Sequence, residues 1–147
     1  MLIETNRFGP LEIDESRIIR FREGLLGFPQ HKEFALVQTT PDPVFLWLQS
    51  VQDPQLAFIV CDPGEFVSDY RVPIRDEDVR LLGMGDANDH QLFVIVNRVN
   101  GDLTVNLLGP LVVGVRSLQG RQFVLSDRRY STRHVLAPAT PALGRTA

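Results

Sequence analysis

A chain of 147 residues with a formal charge of −3 and 44% hydrophobic residues can bury a core as one domain, a globule of this size hiding roughly 70% of its unfolded surface. A single cysteine, Cys61, excludes an internal disulfide, and MLIETNRFG has no basic-then-apolar leader. With no apolar run near the roughly 20 residues that cross a bilayer, the expectation is a soluble protein of the reducing cytoplasm, without membrane attachment.

In chain order the sequence reads as short runs rich in Val, Ile, Leu and Phe, separated by Gly, Pro, Asn and Asp, the pattern of an all-β domain. Strands are expected at Leu2–Arg7, Leu11–Ile13 and Ser16–Phe21, then at Ala35–Thr39, Phe45–Ser50 and Ala57–Cys61. Between the third and fourth lies GLLGFP (Gly24–Pro29), read as a tight reversal that tucks Leu25, Leu26 and Phe28 inward. It lacks the Gly-Lys-Ser/Thr ending of a phosphate loop. PIRDEDVRLLGMG departs from the β pattern. Its acids Asp76, Glu77 and Asp78 suit the positive end of a helix dipole and Gly83 suits a left-handed stop, so a short helix is expected from about Arg75 to Leu82.

Further strands are expected at Gln91–Arg98, Leu103–Leu108, Leu111–Val115 and Gln122–Leu125. Asn100-Gly101 between two of them tolerates the positive φ angles of a two-residue hairpin. Gly109-Pro110 interrupts NLLGPLVV, and because proline cannot donate a ladder hydrogen bond, such a break belongs to an edge, a bulge or a barrel corner with Leu107, Leu111 and Val113 in the core. The tail APATPALGRTA, with two prolines and little to bury, is expected to be disordered. The domain assignment is therefore residues 1–136, with 137–147 as tail.

Charge is unevenly placed. Seven acids against three arginines give −4 between Glu65 and His90, and six arginines against one acid give +5 from Pro110 to the end. The basic part includes DRRYSTRH (Asp127–His134). A nucleic-acid surface would use Arg116, Arg121, Arg128, Arg129 and Arg133 on phosphates with Tyr130 as a stacking ring. The acidic total, a single lysine (Lys32) and few interleaved aromatics weigh against it. Arginines also suit bidentate pairing with carboxylates.

Catalytic chemistry finds no anchor. Cys61 ends the apolar strand FIVCDP, where a free thiol behaves as a small buried hydrophobe. His31, His90 and His134 lie far apart in sequence with no ligand spacing, so no metal and no cofactor are expected. Ser131 and Thr132 beside His134 lack the elbow of a hydrolase nucleophile.

RFGPLEID, FREGLLGFPQHKEF, FLWLQSVQDPQLAFIVCDP followed by Asp69-Tyr70, NLLGPLVV and GRQFVLSDRRYSTRH, in this order from Phe8 to His134, together resemble the flagellar assembly factor FliW family. The resemblance implies an all-β fold, a small antiparallel β-barrel-like single domain with one short helix, and no enzymatic activity. It also implies that the protein binds flagellin in the cytoplasm, and binds and antagonises the RNA-binding translational regulator CsrA, relieving repression of flagellin translation. On that reading the acidic lobe faces the basic regulator through Asp69, Asp76, Glu77 and Asp78, with Tyr70 alongside. Asn106, Leu107, Gly109 and Pro110 are candidates for the wall of an apolar groove that takes an amphipathic flagellin helix. DRRYSTRH ends the barrel with Tyr130 packed and Arg128, Arg129 and Arg133 paired to carboxylates of the protein or a partner. The alternative is a barrel that binds RNA directly through those arginines. Two positions depart from the family pattern: Gly114 where asparagine is expected and Val135 where proline is usual. The tail also lacks the acidic character of some relatives.

Overall fold

The computed structural model describes residues 1–41 and 43–137. Strands β1 (Leu2–Thr5) and β2 (Gly9–Glu12) form a separate antiparallel hairpin, its turn braced by Thr5, whose hydroxyl donates to the Gly9 carbonyl and accepts from Phe8 N–H. The remaining strands form one sheet: β3 (Ile19–Phe21), β4 (Glu33–Val37), β5 (Phe45–Ser50), β6 (Ala57–Cys61), β7 (His90–Val99), β8 (Asp102–Val105), β9 (Leu111–Gly114), β10 (Gln119–Gln122) and β11 (His134–Ala137). Its strand order is β11-β8-β7-β6-β5-β4-β3-β10-β9, and β9 also pairs with β7. That last pairing closes a barrel of seven strands, with β8 and β11 as a flap beyond it.

The ten residues of β7 allow both roles. His90–Phe93 pair with β9, while Val96–Val99 pair with β8. All pairings are antiparallel except β3 with β10, which run parallel through Arg20–Gln119 and Phe21–Gly120. The expected all-β barrel is thus found, with one parallel seam in it.

Period-2 alternation explains why several strands are apolar throughout. Phe93, Val60, Leu111 and Val113 join Ile19, Phe21, Leu25, Phe34 and Leu48 in the central cluster. Their neighbours Val94, Val96 and Cys61 belong to a second cluster with Val105 and Leu107, and Val112 to a third with Leu82 and Met84. Successive side chains point to opposite faces, so β6, β7 and β9 are covered on both. The β8–β11 flap contributes to the second cluster and α1 (Asp76–Leu81) borders the third. Burying a side chain such as Phe21 contributes about 2–3 kcal/mol.

The hairpin at Asn100-Gly101 forms as expected, with φ of 52° and 86° and Val99 opposite Asp102. The helix falls within its expected span, and its first-turn acids are those of the sequence. Ser16 and Arg17 are not strand but part of a 3-10 turn (Glu15–Arg17), because Asp14 accepts from both the N–H and the hydroxyl of Ser16. The strand expected at Gln122–Leu125 lies earlier. Phe123 and Leu125 instead donate their N–H groups to the Pro110 and Leu108 carbonyls. β11 extends the domain through Ala137, which pairs with Leu103. The rest of the expected tail lies outside the described residues.

GLLGFP corrects an expectation. Gly24 and Gly27 have positive φ and Leu25 pairs with Phe28 across the turn. Only Leu25 points into the core; Leu26 is 60% exposed and Phe28 is at the surface against His31 and Phe58. A turn this tight has one inward position.

Candidate functional site

Three segments distant in sequence meet beside the second core cluster: the loop to Tyr70, the Asn106–Pro110 corner and the DRRYSTRH stretch. Tyr70 is the pivot. Its hydroxyl donates to the Leu107 carbonyl at 2.6 Å, and its ring meets that of Tyr130 edge-on at 4.9 Å. Burial pushes the Tyr70 phenol well above its ordinary range, so it stays a neutral donor at physiological pH. Tyr130 donates to the Asp69 carbonyl at 3.4 Å, and Leu107 N–H donates to the Ser131 carbonyl. Asp69 sits at φ 59°, a left-handed conformation that aspartate tolerates better than most side chains.

This latch brings nine of the candidate residues into one region: Asp69, Tyr70, Asn106, Leu107, Gly109, Pro110, Arg128, Arg129 and Arg133. They do not play equal parts. Leu107, Gly109 and Pro110 are buried, which corrects the expectation that they wall an open groove. Asn106 accepts from Leu108 N–H, and the Gly109 carbonyl accepts from Gln122 Nε2. They form the barrel corner beneath the surface. Arg129 folds back on Asp127 with Nη2 at 2.8 Å from Oδ2 and its Cζ 5.2 Å from the Tyr130 ring centre. The hydrogen bonds from Arg129 hold the Asp127 carboxyl below its ordinary range. Arg128 and Arg133 are exposed and make no ion pair among the described residues. Among the described residues the expected carboxylate pairing therefore holds for Arg129 and not for Arg128 or Arg133.

Replacing Tyr70 by phenylalanine removes one half-buried donor and leaves the Leu107 carbonyl with an unmet bond. The expected cost is about 1–2 kcal/mol, read as a lower urea midpoint with unchanged slope. An unaltered midpoint would show that the latch contributes nothing.

The helix acids form a second region. Asp76 and Glu77 are exposed, whereas Asp78 is 2% exposed. Asp78 accepts from Arg75 N–H at 2.9 Å and lies 3.6 Å from Arg121 Nη1, tying α1 to β10. It corrects the expectation of a rim charge: a third-position acid that reaches back to cap the helix start is spent there. At the other end of α1, Ser117 donates its hydroxyl to the Leu82 carbonyl at 2.5 Å. A Cβ on Gly114 would collide with that hydroxyl, so glycine in place of the expected asparagine goes with this tie. Val135 pairs with Thr104 at a bulge in β11, where a proline would have no N–H to offer.

Cys61 is buried between Phe45 and Val94 in register, and burial pushes its thiol up to about 12. A thiol so placed is not a thiolate nucleophile near neutral pH. Among the described residues no group of His, Cys, Asp and Glu could hold a metal, and no helix is long and apolar enough to cross a membrane.

Comparison with known proteins agrees with this architecture. A family model described as FliW protein matches residues 2–136. Flagellar assembly factor FliW of Magnetococcus marinus is 42% identical over 141 residues, covering 94% of this chain and 86% of its own length. The protein of the same name from Heliobacterium modesticaldum is 39% identical over 142 residues, covering 95% and 93%. A crystal structure of the flagellar assembly factor FliW superposes with a TM-score of 0.83 at 34% identity, covering 94% of this chain and 98% of that one. With the closed barrel, the short α-helix α1 and the ordered motifs now matched along nearly the whole chain, the protein belongs to the FliW family of flagellar assembly factors.

Proposed function

We propose that the chain works in the cytoplasm as a non-enzymatic partner-switching protein, binding flagellin and also a CsrA-type RNA-binding regulator. By holding the regulator it relieves repression of flagellin translation. The observation that carries this reading is family membership over residues 2–136. Calorimetry with flagellin and CsrA from the same cell tests it: a complex with each is expected, and binding to neither ends the reading.

The exposed acids Asp69, Asp76 and Glu77 are the proposed rim toward the basic regulator, supported by their exposure on the acidic lobe. Rim charges act mainly on the association rate. Reversing Asp76 and Glu77 to lysine is expected to slow association with CsrA by about tenfold at low salt and much less at high salt, where screening is stronger. Equal rates at both salts would remove these residues from the rim. Asn106, Tyr70, Arg128 and Arg133 are proposed as partner contacts on the latch face, with Leu107, Gly109 and Pro110 supporting them from below. Direct RNA binding is the weaker reading, since Arg129 is already engaged by Asp127. It would require a salt-sensitive shift of flagellin leader RNA that weakens with Arg128→Ala.

A further inference from the structure

β10 has a neighbour on each flank, β9 opposite Gly120–Gln122 and β3 opposite Gln119 and Gly120. The two flanks end differently. On the β9 side the chain stays extended past β10, with Phe123 and Leu125 donating to the Pro110 and Leu108 carbonyls at 2.8 Å each. On the other side β3 stops at Phe21 and turns away, the Gly24 N–H closing a turn on the Phe21 carbonyl at 2.8 Å. The lane beside Val124–Ser126 that β3 would have filled holds no strand among the described residues.

Along an extended chain the backbone groups alternate in direction, so those of Val124 and Ser126 face this lane, opposite to those of Phe123 and Leu125. Val124 N–H, Val124 C=O and Ser126 N–H make no hydrogen bond among the described residues. Native sheets blunt an exposed edge with charge or proline. Gln122–Ser126 (QFVLS) carries neither. Val124 is instead 72% exposed, on the face it shares with Gln122 by strand alternation. Leu26, also exposed, is held on that face by its N–H, which donates to Gln122 Oε1 at 2.8 Å.

A donor and an acceptor, then a second donor one two-residue strand step of about 7 Å further on, match the edge of another polypeptide. Water or a lone hydroxyl satisfies one such group at a time and leaves the valine and leucine uncovered. A second copy of this chain fits poorly, because each barrel carries its own Gly24–Phe28 turn beside this edge, in the lane the other's strand would need. We propose that Val124–Ser126 takes an added β-strand, an extended segment of a partner polypeptide. Its backbone bonds to Val124 and Ser126, and an apolar side chain lies against Leu26 and Val124. The proposal rests on no assignment of flagellin or CsrA.

The test is a ¹⁵N-resolved NMR titration of the intact protein, up to millimolar peptide, with the capped strand-forming peptide Ac-KTVTVK-NH₂. Its fully N-methylated counterpart and one with serine for both valines serve as controls. The parent peptide is expected to shift the Val124 and Ser126 amides together. The N-methylated form keeps every side chain but has no backbone N–H to offer, and should bind at least about tenfold more weakly. The serine form should be about fivefold weaker. Val124→Pro removes an N–H that no group in the chain uses, at an edge position that tolerates proline. It is expected to leave the β5–β7 amides in place and to weaken binding at least about tenfold. Absence of shifts at Val124 and Ser126, equal binding of either control peptide, or full binding by the folded proline variant overturns the proposal. Dimerisation of the free protein through these two amides would give the edge to a second copy and overturn it as well.

Discussion

Gly24→Ala is expected to destabilise the protein by about 2–5 kcal/mol, from a left-handed backbone cost of about 1–2 kcal/mol together with overpacking. Gly24 sits at φ 69°, and an added Cβ would lie 2.6 Å from Phe28 O, Pro29 Cα and Pro29 O. Those are backbone atoms of the same turn, so the clash cannot be relieved by a rotamer change. Moving them would withdraw Leu25, 3% exposed, from the central cluster. Urea unfolding checks the prediction through a lowered midpoint. A shift below about 0.5 kcal/mol, the ordinary range of a surface substitution, would mean that the turn adopts another form at no cost.

Gly120→Ala tests the parallel seam. Gly120 pairs with Phe21 between β10 and β3, and a Cβ there would come within 2.6 Å of the Phe21 ring. That ring is fully buried and set edge-on to Phe34 at 5.8 Å, which leaves it no room to retreat. The expected loss is about 1–3 kcal/mol. Phe21→Leu in the Gly120→Ala background should cost less than Phe21→Leu alone, because the shorter side chain leaves space for the methyl group. Strict additivity of the two changes would show that they do not meet.

Much of the β framework was legible because local signals and tertiary demands coincide. Phe45–Ser50 and Ala57–Cys61 are apolar runs ending in turn residues, Asn100-Gly101 fits one hairpin geometry, and three acids mark a helix start. What escaped is non-local. HVLA looks like the end of a domain until β8 is there to receive it, and nothing near Phe21 announces a parallel partner at Gly120. The candidate site was legible as a set of segments but not as a set of roles. Asp76, Glu77 and Asp78 are alike in sequence, yet a three-residue spacing turns Asp78 inward to cap Arg75. Leu26 and Phe28 are as apolar as Leu25, yet only one position of a glycine-bounded turn faces the core. In the latch, Tyr130 could be read as packed, but its partner Tyr70 lies in a loop sixty residues earlier, with no periodicity linking them.

The seam between β3 and β10 joins Arg20 to Gln119. A ribosome must therefore deliver most of the polypeptide before the first third can find its final neighbour, and until then the border of β3 stays open to foreign strands. Such remote contacts slow folding relative to helical domains. The closed barrel thus arises late in the molecule's own synthesis, and truncated products ending before β10 are expected to be snared by chaperones rather than to act as smaller versions of the whole.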